Sequence, residues 1–195
     1  MHLFQKKLDS RRLCQIAGLL LLAPLGGCDP PASAAAKPVS APVVEARRCG
    51  DDGYLSAELF GGIEYKIDWD AHDFDCESMQ RPAGAGLRLR FTGNAADREM
   101  SFILAVPDLE RGVDGHELPT VVTLTVEGSG RFFSTASLDA CFTDIGTLAV
   151  VDGSAGQYDV RGTLYCVAPL GEINGDAAIS IPQIEFQSRV QWDAQ

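Results

Sequence analysis

The strongest periodic signal in the chain is the alternation of apolar and charged residues from Ile63 to Trp69. A repeat of two residues is typical of a β-strand that has one face on a hydrophobic core. The segment Tyr54 to Phe60 precedes it, and Gly61-Gly62 lies between the two. Two glycines supply the positive φ angles of a two-residue hairpin turn. The pattern therefore predicts an antiparallel hairpin over residues 54–69.

Similar short apolar segments recur along the rest of the chain, separated by clusters of turn residues such as Gly128-Ser129-Gly130. In the last segment, the apolar residues between Ile184 and Trp192 fall on one face. The further predicted strands are residues 87–91, 100–106, 121–126, 131–136, 145–151, 157–167, 177–181 and 184–192.

Many short strands without an amphipathic helix predict an all-β fold. We expect a single antiparallel β-sandwich domain, immunoglobulin-like or jelly-roll-like, over residues 46–195. A barrel is the alternative. The sequence shows neither an internal repeat nor a second domain.

The first 27 residues have the order of a secretory signal peptide. A basic region that contains Arg11 and Arg12 precedes an apolar stretch from Leu13 to Leu25, and small residues follow. This apolar stretch is shorter than the roughly 20 residues that a membrane-spanning helix needs. We therefore expect residues 1–27 to be removed during export.

Leu25-Gly26-Gly27-Cys28 resembles the lipobox of bacterial lipoproteins. The resemblance implies that Cys28 is acylated with palmitate-type chains, becomes the new N-terminus and anchors the chain to a membrane of the cell envelope, facing the periplasm. Asp29 resembles the signal that retains lipoproteins in the inner membrane. The alternative is an ordinary secretory leader in which Cys28 enters a disulfide.

Residues 28–45 are dominated by proline, alanine and serine, which predicts an extended linker between the lipid and the domain. The whole chain has a formal charge of −11, and after removal of the leader 12 Lys and Arg face 26 Asp and Glu, a charge of −14. Nucleic acids and anionic lipids both require clustered positive charge. We therefore expect no nucleic-acid partner.

Four cysteines remain in the predicted domain, and an even number in an exported chain predicts two disulfides. Three pairings are open to them, of which proximity along the chain favours Cys49 with Cys76 and Cys141 with Cys166. A four-cysteine zinc site is the alternative, but the paired C-x2-C spacing of such sites is missing.

An acidic segment, residues 68–77, contains the densest polar chemistry of the sequence. Carboxylates gathered in a loop are the ligands that calcium prefers, so we identify this segment as a candidate calcium site. Its spacing is not that of an EF-hand. A solvated acidic loop is the structural alternative. The candidate ligands are Asp68, Asp70, Asp73 and Asp75.

Catalytic patterns are weak in this chain, and we expect no enzyme activity. The mature chain has His72 and His116 as its histidines, which leaves few candidates for a general base. Gly153-Ser154-Ala155-Gly156 lacks the first glycine of a nucleophile elbow and is predicted to be a hairpin turn. His116-Glu117 and Gly84-Ala85-Gly86 are predicted to be loops.

Aromatic residues near predicted strand ends are candidates for contacts with carbohydrate or protein, although we expect Trp69 and Trp192 to complete the core. These features favour a non-catalytic module that binds another cell-envelope protein or assists envelope assembly. A calcium- or carbohydrate-binding module is the alternative, followed by a small hydrolase. The aromatic candidates are Trp69, Phe74, Phe132, Phe133 and Phe142.

Overall fold

The computed structural model describes residues 49–82 and 85–192, and this part of the chain is built from β-strands without a helix. The described residues accordingly contain no helix that has the length and apolarity to cross a membrane. The predicted leader, Cys28 and the linker of residues 28–45 lie outside the described residues. The strands are β1 (Tyr54–Gly61), β2 (Tyr65–Asp70), β3 (Phe74–Cys76), β4 (Met79–Gln80), β5 (Leu87–Ala95), β6 (Arg98–Val106), β7 (Gly115–Pro119), β8 (Val121–Val126), β9 (Arg131–Ser134), β10 (Cys141–Val150), β11 (Gln157–Cys166), β12 (Leu170–Glu172), β13 (Ala178–Ser180) and β14 (Ile184–Gln191).

The 14 strands pair almost entirely antiparallel and form a single β-sandwich, as the sequence predicts. Strands β2, β1, β14, β11, β10 and β7 lie side by side in that order and form the first sheet. Strands β5, β6, β8, β9, β12 and β13 form the second sheet, and β3 and β4 pair with the other side of β5.

The two sheets are joined where the chain passes from β13 to β14. Both strands pair with the same edge of β1, with Ser180 opposite Phe60 and Ile184 opposite Ala57. Pro182 lies in the bend between them, so one nearly continuous segment changes sheet at this corner. A second link is made by β4, where Met79 pairs with Gln191 of β14.

Alternation along the strands places their apolar side chains between the sheets. In β5 every second residue is buried, and the same alternation runs through β6 from Met100 to Val106, where Ser101 on the outward face is buried as well. Four phenylalanines from both sheets are fully buried at the centre: Phe91, Phe102, Phe133 and Phe186. Burial of such side chains supplies the main stabilisation of the domain.

The first hairpin forms, but its predicted two-residue turn is wrong. The last cross-strand pair of β1 and β2 is Leu59 with Tyr65, which leaves five residues between the strands. β1 continues instead to Gly61, where it pairs with Ile179 of β13. The connection is longer because the end of β1 is held by the second sheet. The predicted inward face is confirmed, since Ile63, Ile67 and Trp69 are buried.

Short strands were missed where their alternation is brief. The acidic segment contains β3 and the next residues contain β4, and together they line the edge of β5. β7 also forms where the sequence predicted a loop, and β12 forms in a segment to which the sequence assigned no element. Segments of two to five residues carry too few repeats of an alternating pattern to be distinguished from loops.

Both favoured disulfides are present in the structure. The sulfur atoms of Cys49 and Cys76 are 2.00 Å apart, and those of Cys141 and Cys166 are 2.04 Å apart. The first joins the segment before β1 to β3, and the second joins the paired strands β10 and β11. The four cysteines are therefore not available as zinc ligands.

Candidate functional site

The acidic segment forms a tight turn in which carboxylates bind the backbone. The backbone N–H of His72 donates to Asp70 Oδ1 at 2.9 Å, and the N–H of Asp70 donates to Asp73 Oδ2 at 3.2 Å. Aspartates commonly stabilise turns in this way. Asp70 and Asp73 therefore shape the connection between β2 and β3. This structural role is the one expected if the acidic segment is a solvated loop and not a calcium site.

The other two candidate calcium ligands project from different sheets. Asp68 faces outward from β2 in the first sheet, and Asp75 faces outward from β3, which pairs with β5 in the second sheet. Within residues 49–82 and 85–192, groups of three or more His, Cys, Asp or Glu that could hold a metal ion are not found. The calcium hypothesis stays a prediction from the sequence.

The acidic residues near Cys49 lie close to an arginine of β14. Arg189 donates to both oxygens of Asp159, with Nε 2.9 Å from Oδ1. This hydrogen bond raises the pKa of Arg189, and the nearby charges of Asp51 and Asp52 raise the same pKa further. Part of the negative potential at this end of the domain is thus offset by Arg189.

A polar cluster occurs at β7, which the sequence analysis placed in a loop. Asp144 Oδ1 accepts a hydrogen bond from the backbone N–H of Glu117 at 2.7 Å and lies 3.8 Å from His116 Nδ1. Tyr165 donates its hydroxyl hydrogen to Glu117 Oε1 at 3.4 Å. His116 is exposed, with 81% of its side-chain surface accessible.

The same cluster holds an uncommon backbone conformation. Glu117 has a φ of 48°, in the left-handed region that side chains with a Cβ rarely adopt. Partial burial and then the negative charges of Glu117 and Asp144 raise the pKa of Tyr165, so its hydroxyl stays protonated and donates. The arrangement explains the irregular course of β7. Phe142, also a predicted contact residue, packs against Tyr165 with ring centroids 5.7 Å apart.

The predicted aromatic candidates divide between core and surface. Trp69 and Phe74 stack with centroids 5.9 Å apart and are buried, as are Phe133 and Trp192. The close approach of Trp69 requires Gly93, where a Cβ would lie 3.0 Å from the indole ring. Phe132, by contrast, is 43% exposed on the outside of β9. The sequence analysis missed Phe60, which is 47% exposed because it lies on the outward face of β1.

The outer face of the second sheet differs in chemistry from the rest of this acidic protein. Glu99 of β6 and Asp75 of β3, which pairs with Thr92 of β5, face outward at the margin of this sheet. The central residues are other outward-facing side chains of β5, β6, β8 and β9, and none of these is Asp or Glu. We call these residues the neutral face: Arg88, Arg90, Thr92, Ser101, Ile103, Ala105, Val121, Thr123, Thr125, Phe132 and Ser134.

Hydrogen bonds between neighbouring side chains order the neutral face. Arg90 Nε donates to Ser101 Oγ at 3.1 Å, and the hydroxyl groups of Thr92 and Ser101 are 3.1 Å apart. Arg90 also forms an ion pair with Glu77 at the margin of the face. Beyond the arginines of β5, the face consists of aliphatic groups and internally bonded hydroxyls, and this part loses little solvation when it is covered.

The outer face of the first sheet carries a shallow open groove near the bend that contains Pro182. Its volume is about 230 Å³. Charged and polar groups dominate the lining, and Gln183 Nε2 donates to Glu185 Oε1 at 2.7 Å within it. Ligand sites are usually deeper and more apolar than this groove. The lining residues are Ser56, Ala57, Glu58, Lys66, Pro182, Gln183 and Glu185.

Comparison with known proteins finds no match to this chain among family models, curated proteins or solved structures.

Proposed function

We propose that this chain is a lipid-anchored protein of the bacterial cell envelope that acts as a non-catalytic module for binding another envelope protein. Its lipobox-like Cys28 and the linker of residues 28–45 support attachment to a membrane on the periplasmic side, and Asp29 favours the inner membrane. Two disulfides support export to an oxidising compartment.

The neutral face carries the protein-binding part of this proposal. Protein interfaces are depleted of charged residues at their centre, whereas this chain has a net charge of −11. A face whose centre lacks acidic residues is therefore a surface on which a partner would desolvate few carboxylates. Phe132 at its edge supplies an exposed aromatic anchor of the kind that contributes strongly at interfaces.

Membrane attachment is tested by mass spectrometry of the N-terminal peptide from the membrane fraction. We expect a peptide that begins at Cys28 and carries acyl chains, because the lipobox-like sequence directs cleavage before that residue. The Cys28→Ala variant should leave the membrane fraction. An unmodified wild-type peptide that retains the leader would contradict the anchor.

Partner binding is tested by mild crosslinking in membranes, followed by purification and mass spectrometry. We expect a dominant envelope protein with the wild-type chain and its loss with Thr125→Glu, which places a charge at the centre of the neutral face. Thr147→Glu is the control, since Thr147 lies on β10 of the first sheet opposite Arg161. Equal capture by both variants would show that the neutral face is not the binding surface.

A further inference from the structure

We propose that the free edge of β2 pairs with β2 of a second copy of this chain, forming a sheet that continues across a two-fold axis. Within the described residues, β2 pairs with β1 on one side and ends the order of strands on the other. It contains six residues in regular register, without proline and without a bulge. A regular edge of this kind is a template for an added strand.

The turn that follows β2 determines which backbone groups face the free edge. The N–H and C=O of Asp70 are both used within this turn, by the Asp73 side chain and the Asp73 N–H. Asp70 and its partner Tyr54 are therefore a pair without ladder hydrogen bonds. Because such pairs alternate along antiparallel strands, Lys66 and Asp68 direct their N–H and C=O groups to the free edge.

The charges of these two residues select one register for pairing with a second copy. A two-fold axis at Ile67 places each Lys66 opposite Asp68 of the other copy, as two hydrogen-bonded pairs. An axis at Lys66 would oppose the two lysines, and an axis at Asp68 would oppose the two aspartates. Opposite charges in facing positions stabilise a strand pair, and like charges destabilise it.

The same register is compatible with the buried face of β2. It places Tyr65 opposite Trp69 of the other copy and the two Ile67 side chains opposite each other. Tyr65 is half-buried, so its exposed part gains an aromatic neighbour in the pair. Within one copy, Asp68 faces Ser56 of β1 and has no cation opposite it. The second copy supplies that cation as Lys66.

The test is a carbodiimide crosslink between a lysine amine and a carboxylate, performed on the full-length protein in membranes. Copies labelled with ¹⁵N and copies at natural isotope abundance are coexpressed, so that a crosslink between copies yields mixed-label peptides. We expect a mixed-label Lys66 to Asp68 peptide. Peptides of uniform label alone would come from within one copy and would overturn the proposal.

Charge variants test the register. Lys66→Glu and Asp68→Lys each replace two attractive pairs by two repulsive ones, and co-purification of two differently tagged copies from membranes should fall by about tenfold or more. The double variant Lys66→Asp, Asp68→Lys restores the opposite charges and should restore both the co-purification and a mixed-label crosslink between the exchanged residues. Arg98→Glu makes the same change in charge at an exposed hairpin and is the control. Equal losses in the control and edge variants, or failure of the double variant to recover, would contradict the proposal.

Discussion

The strands at the two ends of the sheet order, β2 and β7, differ in how they present their edges. β2 has six residues that continue the ladder of β1 without interruption. β7 has five residues, pairs with β10 through a shift of register, and ends at Pro119. Its Glu117 has a positive φ, which directs the backbone away from a regular ladder.

This difference shows that one sheet can block one edge and leave the other suitable for pairing. Proline, bulges and irregular backbone are the devices by which proteins prevent edge-to-edge association, and β7 has all three. β2 has one lysine, Lys66, that opposes edge-to-edge association. In the register proposed above, Asp68 of a second copy neutralises its charge. Self-association is therefore expected at β2 and not at β7.

Proline substitutions in β2 give the largest expected effect. Ile67→Pro should lower the free energy of unfolding by about 3 kcal/mol or more, because it removes a ladder hydrogen bond and a buried side chain. Lys66→Pro should lower it by less than about 1 kcal/mol, since its N–H faces the free edge. Denaturant unfolding measures both, with Ile67→Ala as the control for the side chain. Equal losses of unfolding free energy from both proline variants would show that the N–H of Lys66 does not face the free edge.

The two disulfides should contribute similarly although they lie near different edges. They span 27 and 25 residues, so the entropic model assigns each about 3 to 4 kcal/mol. Replacing either pair by serine should lower the free energy of unfolding by that amount, as measured in urea. A much larger loss for Cys49 and Cys76 would indicate that this bridge also holds β3 against β5.

Glycine substitutions distinguish the backbones of irregular and regular strands. Glu117→Gly should have a free energy of unfolding up to about 1 kcal/mol above that of Glu117→Ala, because both variants remove the acceptor of the Tyr165 hydroxyl and glycine alone accepts the positive φ. Glu58→Gly, at an exposed position of regular β1, should lie about 0.5 to 1 kcal/mol below Glu58→Ala. Thermal unfolding at pH 7 measures both differences. The same sign for the two differences would contradict strain at Glu117.

The smallest expected effect is a pH dependence at the turn that precedes β2. Arg131 bonds Glu172 through two nitrogens and also donates from Nη1 to Gly62 O at 3.3 Å. Its hydrogen bond lowers the pKa of Glu172 below the ordinary value of 4.5. The stabilisation is therefore present above about pH 4.5 and is lost as the pH falls through the lowered value.

Melting temperatures across that range test this contact. Glu172→Gln should melt below the wild type at pH 7, and the difference should shrink as the pH falls below 4.5. Glu64→Gln, at an exposed position in the same connection between β1 and β2, should show no such convergence. A difference between Glu172→Gln and wild type that does not change with pH would show that ionisation of Glu172 is not involved.

The alternation of apolar and polar residues located most of the long strands. The neutral face depends on contacts between strands, which alternation within one strand does not reveal. The segments of β5, β6, β8, β11 and β14 were all found, because each buries one face and has a strong repeat of two. The neutral face was missed, since its residues are separated in sequence and become neighbours only when four strands pair. The strained Glu117 also has no sequence signal, because its conformation depends on Asp144.

Local sequence patterns were sufficient to predict the all-β class, the inward faces of the strands and the favoured pairing of cysteines. These properties follow from local periodicity and from short separations along the chain. Three features became visible only in the folded domain: Asp68 and Asp75 project from different sheets, β1 reaches β13, and β2 has a free edge among the described residues. The physical reason is that strand order and register arise from pairings between distant segments, which alternation within one segment does not specify.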